Sequence, residues 1–227
     1  MIDPSPGRGR RLASEFAVVF LGVLLALAAD QAWDWRQDRV LEEAYYASLQ
    51  ADLERDTAEY RSTFDFHRVS AEVTNQVLDA AVGDGMFPAD ARRLYRAGYM
   101  NFPYLATATI DELMASGNIR LLRNVPIKAA MSAYYRGVNE WKPRLQGLEF
   151  TEAHLEYRRM IQPLFFQLTP REGVPVMTSQ EVVDELQRLE GLPHLLGFML
   201  ENQGVRLSTY EWQLEGALTV LDLLAAR

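Results

Sequence analysis

The stretch FAVVFLGVLLALAADQAWDW, Phe16 to Trp35, begins as hydrocarbon and ends in tryptophan and aspartate. Its first 14 residues, Phe16 to Ala29, carry no charge and no His, Asn or Gln. A helix of that length rises about 21 Å, short of the ~30 Å hydrocarbon core of a bilayer, whereas a helix from Leu12 to Trp35 rises about 36 Å. The longer segment spans. Trp33 and Trp35 then fall at the headgroup level, where an amphipathic ring is half wet. Arg10 and Arg11, preceded by Arg8, stand at the other end as interface anchors, and this arginine bias predicts a cytoplasmic N-terminus with the rest of the chain exported.

A cleaved signal peptide is the competing reading. Arginines, an apolar core of 14 residues and the small-residue triplet Ala26-Leu27-Ala28 followed by Ala29 fit that pattern. No helix breaker follows the cleavage position, however: proline is absent from 12 to 87, and Gly22 is the only glycine from 12 to 82. A retained anchor is expected, and either reading exports the body. The span holds no ligand for haem or chlorophyll and no proton relay. Gly22, Ala26 and Ala29 give a small-residue strip suited to close contact with another membrane helix.

The expected organisation is a cytoplasmic Arg-rich tail over 1–11, a transmembrane helix over 12–35 and an exported body over 36–227. The 227 residues have a net charge of −8, of which 36–227 carry −7. An acidic body argues against nucleic acid as a partner, because phosphate binding runs on clustered Lys and Arg. The chain has no cysteine, which excludes disulfides, thiolate metal sites, iron–sulfur clusters and cysteine nucleophiles.

Apolar residues beyond the span recur at helical spacing: Leu41, Tyr45, Leu49, Leu53, Tyr60, Phe64, Val73 and Val77. One helix from Leu12 to about Ala81 follows, expected to bend or break near the membrane surface or around Phe64 to Ser70. GDGMFP at 83–88 is a turn, with Pro88 opening a short helix. Thr109 and Glu112 have capping-box spacing, and Gly117 suits a left-handed residue at a helix C-terminus. Asn124 with Pro126 starts the next helix, which Pro143 kinks or interrupts. Pro170, Gly173 and Pro175 mark a loop, Thr178 and Glu181 form a second capping box, and a last helix runs from near Pro193 with a stripe at Leu196, Leu200, Leu207, Leu214, Leu218 and Leu221. No strand-like alternation persists. The predicted fold is all-α, an N-terminal transmembrane helix continuing into a helical bundle.

Two segments together resemble a bacterial family of uncharacterised single-pass membrane proteins, a domain of unknown function. One is the span running into ALAADQAWDWRQDR and EEAYYASLQADLERD; the other is TIDELMASGNIRLLRN, followed after Pro126 by an Ala- and Tyr-bearing helix. The resemblance reaches to about residue 140, and ELMASGNIRLL is its most specific part. It implies a bacterial inner-membrane location with a periplasmic helical body, and brings no catalytic residues.

Reactive constellations are otherwise missing. Gly-x-Ser-x-Gly, P-loop, His-Glu-x-x-His and Gly-rich dinucleotide patterns do not occur. Glu149, Glu152, His154 and Glu156 lie close in sequence, but Glu-x-His occurs once where a di-iron bundle needs Glu-x-x-His twice, so a solvated acidic face is preferred to a metal site. Ser116-Gly117-Asn118 near Arg120 and Arg123 resembles an anion nest, though a helix C-cap explains it better. With no catalytic, cofactor or metal residues and no substrate identified, the sequence predicts a non-catalytic accessory or scaffold subunit. Its partners are the bacterial membrane and other membrane-protein subunits, and a photosynthetic reaction-centre and antenna complex, in which it is a pigment-free linker, is the first candidate. An envelope sensory module signalling through partners is the alternative, and an envelope enzyme around Glu152 and His154 ranks below both.

Overall fold

In the computed structural model, helical hydrogen bonding is unbroken from Gly7 to Val82, a helix of 76 residues that we call α1. The structure describes residues 7–170, 172 and 176–227, with the side chains of 7–14 and 148–150 outside that description. The break expected near Phe64 to Ser70 is absent. No Pro lies in that region, and Ser70 and Thr74 turn their hydroxyls back onto the Phe66 and Ser70 carbonyls at 2.9 and 2.8 Å, so neither leaves a backbone group unpaired.

The other helices are α2 (Ala91–Ala97), α3 (Ala108–Ala115), α4 (Val125–Leu145), α5 (Leu148–Leu168), α6 (Ser179–Arg188) and α7 (Leu192–Ala225), with a 3-10 turn at Asn118–Leu121. Among the described residues there is no strand, and the fold is all-α. Contacts divide the chain into two units, one of residues 1–49 with 109–123 and the other of 50–108 with 124–227.

Local chemistry accounts for most helix ends. Asp90, not Pro88, begins α2, accepting from the Arg92 and Arg93 N–H groups at 2.9 and 3.2 Å. Asn124 caps α4 through the Ile127 N–H at 3.1 Å. Thr178 and Glu181 form a reciprocal capping box: the Thr178 hydroxyl accepts from Glu181 N–H at 3.3 Å, and the Glu181 carboxylate accepts from Thr178 N–H at 2.7 Å. Gly117 and Gly191 hold φ at +72° and +79°, the left-handed turns before the 3-10 segment and α7. Pro143 does not interrupt α4, which ends two residues later at Leu145. Thr109 is not a cap, since α3 already begins at Ala108. Of the loop around 170–175, Gly173 and Pro175 lie outside the described residues.

The first unit contains the apolar part of α1, which is long and apolar enough to cross a membrane. Every residue from Glu15 to Gln37 is exposed, Phe16 to 72%.

In the second unit α7 packs on α4 and α5, and α2 packs on α5. One end is an apolar core made by Val73, Val77 and Ala80 of α1, Leu94 of α2, Tyr157 and Ile161 of α5, Val182 and Leu186 of α6, and Leu192, Leu196 and Met199 of α7. Gly98 permits the closest approach there, because a Cβ at that position would lie 2.5 Å from the Tyr157 ring. Along α7 the buried stripe departs from expectation. Leu196 is buried, but Leu200, Leu207, Leu214, Leu218 and Leu221 are half-buried flanking positions, and the middle of the buried face is Asn202, Gln203, Arg206, Tyr210 and Gln213. Leu196→Ala is therefore expected to destabilise the body by about 2–5 kcal/mol, and Leu200→Ala by about 1 kcal/mol, both read from chemical unfolding followed by far-UV circular dichroism.

Candidate functional site

Two groupings of polar side chains stand out, one in each unit. The first lies directly after the span, where α1 buries Glu42, Tyr45, Tyr46 and Leu49 at i, i+3, i+4 and i+7. The Glu42 carboxylate is almost fully enclosed and is satisfied on both oxygens. Oε1 accepts from the Arg123 backbone N–H at 2.8 Å and the Tyr46 hydroxyl at 3.2 Å. Oε2 accepts from the Arg39 guanidinium at 3.1 Å, with Arg123 Nε 3.9 Å away. Burial alone would raise its pKa; the Arg123 N–H, Arg39 and Tyr46 outweigh that and hold it below the usual glutamate value. Beside it, the Tyr45 hydroxyl donates to Glu112 at 2.9 Å and accepts from the Asn118 side-chain amide at 2.9 Å.

The guanidiniums of Arg39 and Arg123 stand over the Trp35 ring at 5.5 and 5.8 Å from its centroid. The segment 109–123 is thereby clasped to α1 at the point where the apolar run ends. Glu112, which the sequence suggested as half of a capping box, serves this clasp, and Ser116 and Gly117 close α3 as expected of a C-cap, with the Gly117 N–H donating to Met114 O at 3.3 Å. Of the residues predicted for the membrane, Gly22, Ala26, Ala29, Trp33 and Trp35 are all exposed, and a Cβ on Gly22 would meet nothing within 4 Å. Arg10 and Arg11 lie in the helical backbone of α1, and their side chains fall outside the described residues.

The second grouping is a buried polar seam in the body, which the search for apolar stripes passed over. Along α1 it comprises Asp56, Tyr60, Thr63, His67, Ser70 and Thr74, alternating steps of four and three. Phe64, expected in the stripe, is half-buried beside it. The seam meets the non-helical segment 99–107, whose backbone needs partners wherever water is excluded. His67 Nε2 donates to Asn101 O at 2.8 Å, and Asp56 accepts from the Ala106 N–H and the Tyr134 hydroxyl, both at 2.7 Å. Tyr157 donates to Leu94 O at 2.8 Å and Arg158 to Gly98 O at 3.0 Å. Arg206 places Nη2 3.2 Å from Met100 Sδ and its guanidinium 5.3 Å from the Phe102 ring centroid. His67 and Asp56 thereby replace water for two backbone groups of the irregular segment, Arg206 holds its Met100 and Phe102 side chains, and Tyr157 and Arg158 hold the end of α2 that leads into it.

Burial sets the protonation of the seam. It lowers the pKa of His67 to about 4 and that of His154 to about 3, with the nearby Arg206 charge acting in the same direction. Asp56 is pushed up by burial, against the lowering effect of its two donors. The Glu149–Glu156 grouping does not assemble: His154 is buried, Glu152 and Glu156 point outward, and Glu156 pairs with Arg159 at 3.4 Å. The side chain of Glu149 lies outside the described residues. Among the described residues no cluster of three or more His, Asp or Glu side chains has the geometry of a metal site. No family model, curated protein or solved structure matches the chain.

Two outcomes follow from these geometries. Glu42→Ala removes three donors' common acceptor, each charge-assisted bond contributing about 1.5–3 kcal/mol, and hydrogen exchange of the amides in 109–123 is expected to accelerate at least tenfold while α7 is unchanged. For the histidines, the unfolded chain takes up protons from about pH 6.5 downward while the folded chain holds them neutral to about pH 4 and 3, so stability is lost as pH falls through that window. His154→Leu removes one such group, and the stability difference between variant and parent should grow by about 1.4 kcal/mol per pH unit between pH 6 and 4.5, measured by denaturant unfolding at each pH.

Proposed function

We propose that the chain is a non-catalytic accessory subunit of a bacterial inner-membrane assembly, held by α1 with its N-terminus in the cytoplasm and its body in the periplasm. The observation that carries this reading is the apolar part of α1, from Phe16 to Trp33, whose side chains are exposed among the described residues. A helix satisfies its own backbone hydrogen bonds, so its apolar side chains can face lipid at no polar cost. The clasp of Glu42, Tyr45 and Trp35 on 109–123 fits a membrane exit, with charged groups and an aromatic ring gathered where the hydrocarbon ends. Gly22, Ala26 and Ala29 are the proposed contact strip for a neighbouring membrane helix. Kinship with the bacterial single-pass family belongs to the same proposal, and in a photosynthetic assembly the chain is a pigment-free linker.

The test is native mass spectrometry of the protein extracted from its own membranes in mild detergent. The expected result is the uncut chain of 25.9 kDa within a larger assembly. A lone monomer, or a chain beginning near Ala29, contradicts the proposal.

A further inference from the structure

The outward face of α7 carries three features that nothing among the described residues accounts for. The first is apolar: Phe198, Val205 and Trp212 recur every seven residues and are 44%, 39% and 53% exposed. Trp212 is nevertheless held in place, because Gly137 of α4 makes room for it; a Cβ there would lie 2.8 Å from the Trp212 ring. With Trp141 of α4, Trp212 walls an open groove of about 650 Å³, which Gly204, Val205, Ser208 and Thr209 floor and no charged residue lines. The second feature is a pair of exposed glycines inside the helix, Gly197 and Gly204, again seven residues apart. A Cβ on either would meet nothing within 4 Å, so packing within the chain does not require them, and glycine weakens a helix interior. The third is charge. Glu211 and Glu215 stand at i, i+4, a repulsive spacing, and with Glu201 they place three exposed carboxylates on this face with no ion pair among the described residues.

One kind of occupant answers all three. A helix laid along α7 meets a face that repeats every seven residues, since two packed helices stay in register at that period. Glycine at 197 and 204 lets its backbone come close, and Lys or Arg on its flanks pairs with Glu201, Glu211 and Glu215. A second copy of this chain does not fit, because α7 against α7 doubles the carboxylates and brings only His194 to meet them. We infer that this face docks an amphipathic helix of a partner protein, apolar along one heptad stripe and flanked by Lys or Arg, with Trp212 as its fixed anchor. The inference concerns the body alone, and it stands or fails separately from the anchoring of α1.

The experiment uses the full chain, labelled with 5-fluorotryptophan, in nanodiscs of zwitterionic lipid. Its four tryptophans are Trp33 and Trp35 at the end of the apolar run and Trp141 and Trp212 at the groove, so fluorine NMR reads the two places separately once Trp141→Phe and Trp212→Phe have assigned their signals. The probe is a peptide of three Leu-Ala-Ala-Leu-Lys-Ala-Lys heptads. The Trp141 and Trp212 signals are expected to shift with a dissociation constant of about 10–100 µM, while Trp33 and Trp35 stay in place. The same peptide with Glu for Lys should bind at least about tenfold more weakly. Gly204→Leu fills the groove and replaces a poor helix former with a good one, so it should melt at or above the parent temperature and weaken binding about tenfold. Glu211→Gln/Glu215→Gln should weaken binding about threefold. No shift up to about 1 mM peptide, shifts confined to Trp33 and Trp35, which mark adsorption to lipid, or equal binding of the acidic peptide overturns the inference. So does parent-like binding by Gly204→Leu, or a shift of Trp141 and Trp212 with the concentration of the chain alone, which puts a second copy on the face.

Discussion

On the membrane reading proposed above, one helix has to satisfy two solvents. From Phe16 to Trp33 the side chains of α1 are exposed among the described residues, and their exposure in water would set a hydrophobic penalty of about 25 cal/mol for each Å² of apolar surface. Beyond Leu41 the same helix buries one face residue by residue, beginning at Glu42. The change occurs within about two turns. It is marked by Trp35, whose ring takes the Arg39 and Arg123 guanidiniums, and by Glu42, whose carboxylate closes the clasp on 109–123. A charged hub at this position is compatible with headgroup and water and incompatible with hydrocarbon, so on the proposed reading the clasp and the exposed apolar run point to the same boundary from opposite sides.

The body answers a second constraint. Segment 99–107 has no helix to pair its backbone, and it meets the body's interior along the seam. The side chains that accommodate it come from α1 and α7: His67 and Asp56 pair its backbone, and Arg206 lies against its Met100 and Phe102 side chains. Replacing an apolar stripe with such groups weakens a core per unit area but fixes its arrangement, since hydrogen bonds are directional. Sensitivity to acid is built into the same choice, because two histidines are held neutral where water cannot reach them.

How much of this was legible in the residues varies with the range of the interaction. Caps are local: Asn124, Thr178 with Glu181, and Gly117 act within a few residues of themselves, and the sequence shows them. Period is local too, so α1, α4, α5 and α7 are readable as helices. Which face is buried is not local. The leucines at 200, 207, 214 and 221 recur every seven residues and attract the eye, yet they flank the buried face, whose centre is Arg206, Tyr210 and Gln213. A signal did exist, in the unbroken steps of three and four from Asp56 to Thr74, but it is visible only when polar residues are admitted to the stripe. The clasp was beyond reach, because Glu42 and Tyr45 find partners 67 to 81 residues away. His154 illustrates the converse: next to Glu152 and Glu156 in sequence, it faces the interior because positions two apart on a helix point about 200° apart.

The central claim is that α1 crosses a membrane intact and delivers the body to the far side. The chain has no cysteine, so single cysteines placed at Ser5 and at the exposed Ser62 are the only thiols in their variants. Labelling intact spheroplasts with a membrane-impermeant maleimide reads the topology directly. The account predicts that Ser62→Cys is labelled without permeabilisation and Ser5→Cys only after it. Labelling of Ser5→Cys in intact spheroplasts, protection of Ser62→Cys, or loss of the Ser5 cysteine from the mature chain would contradict it.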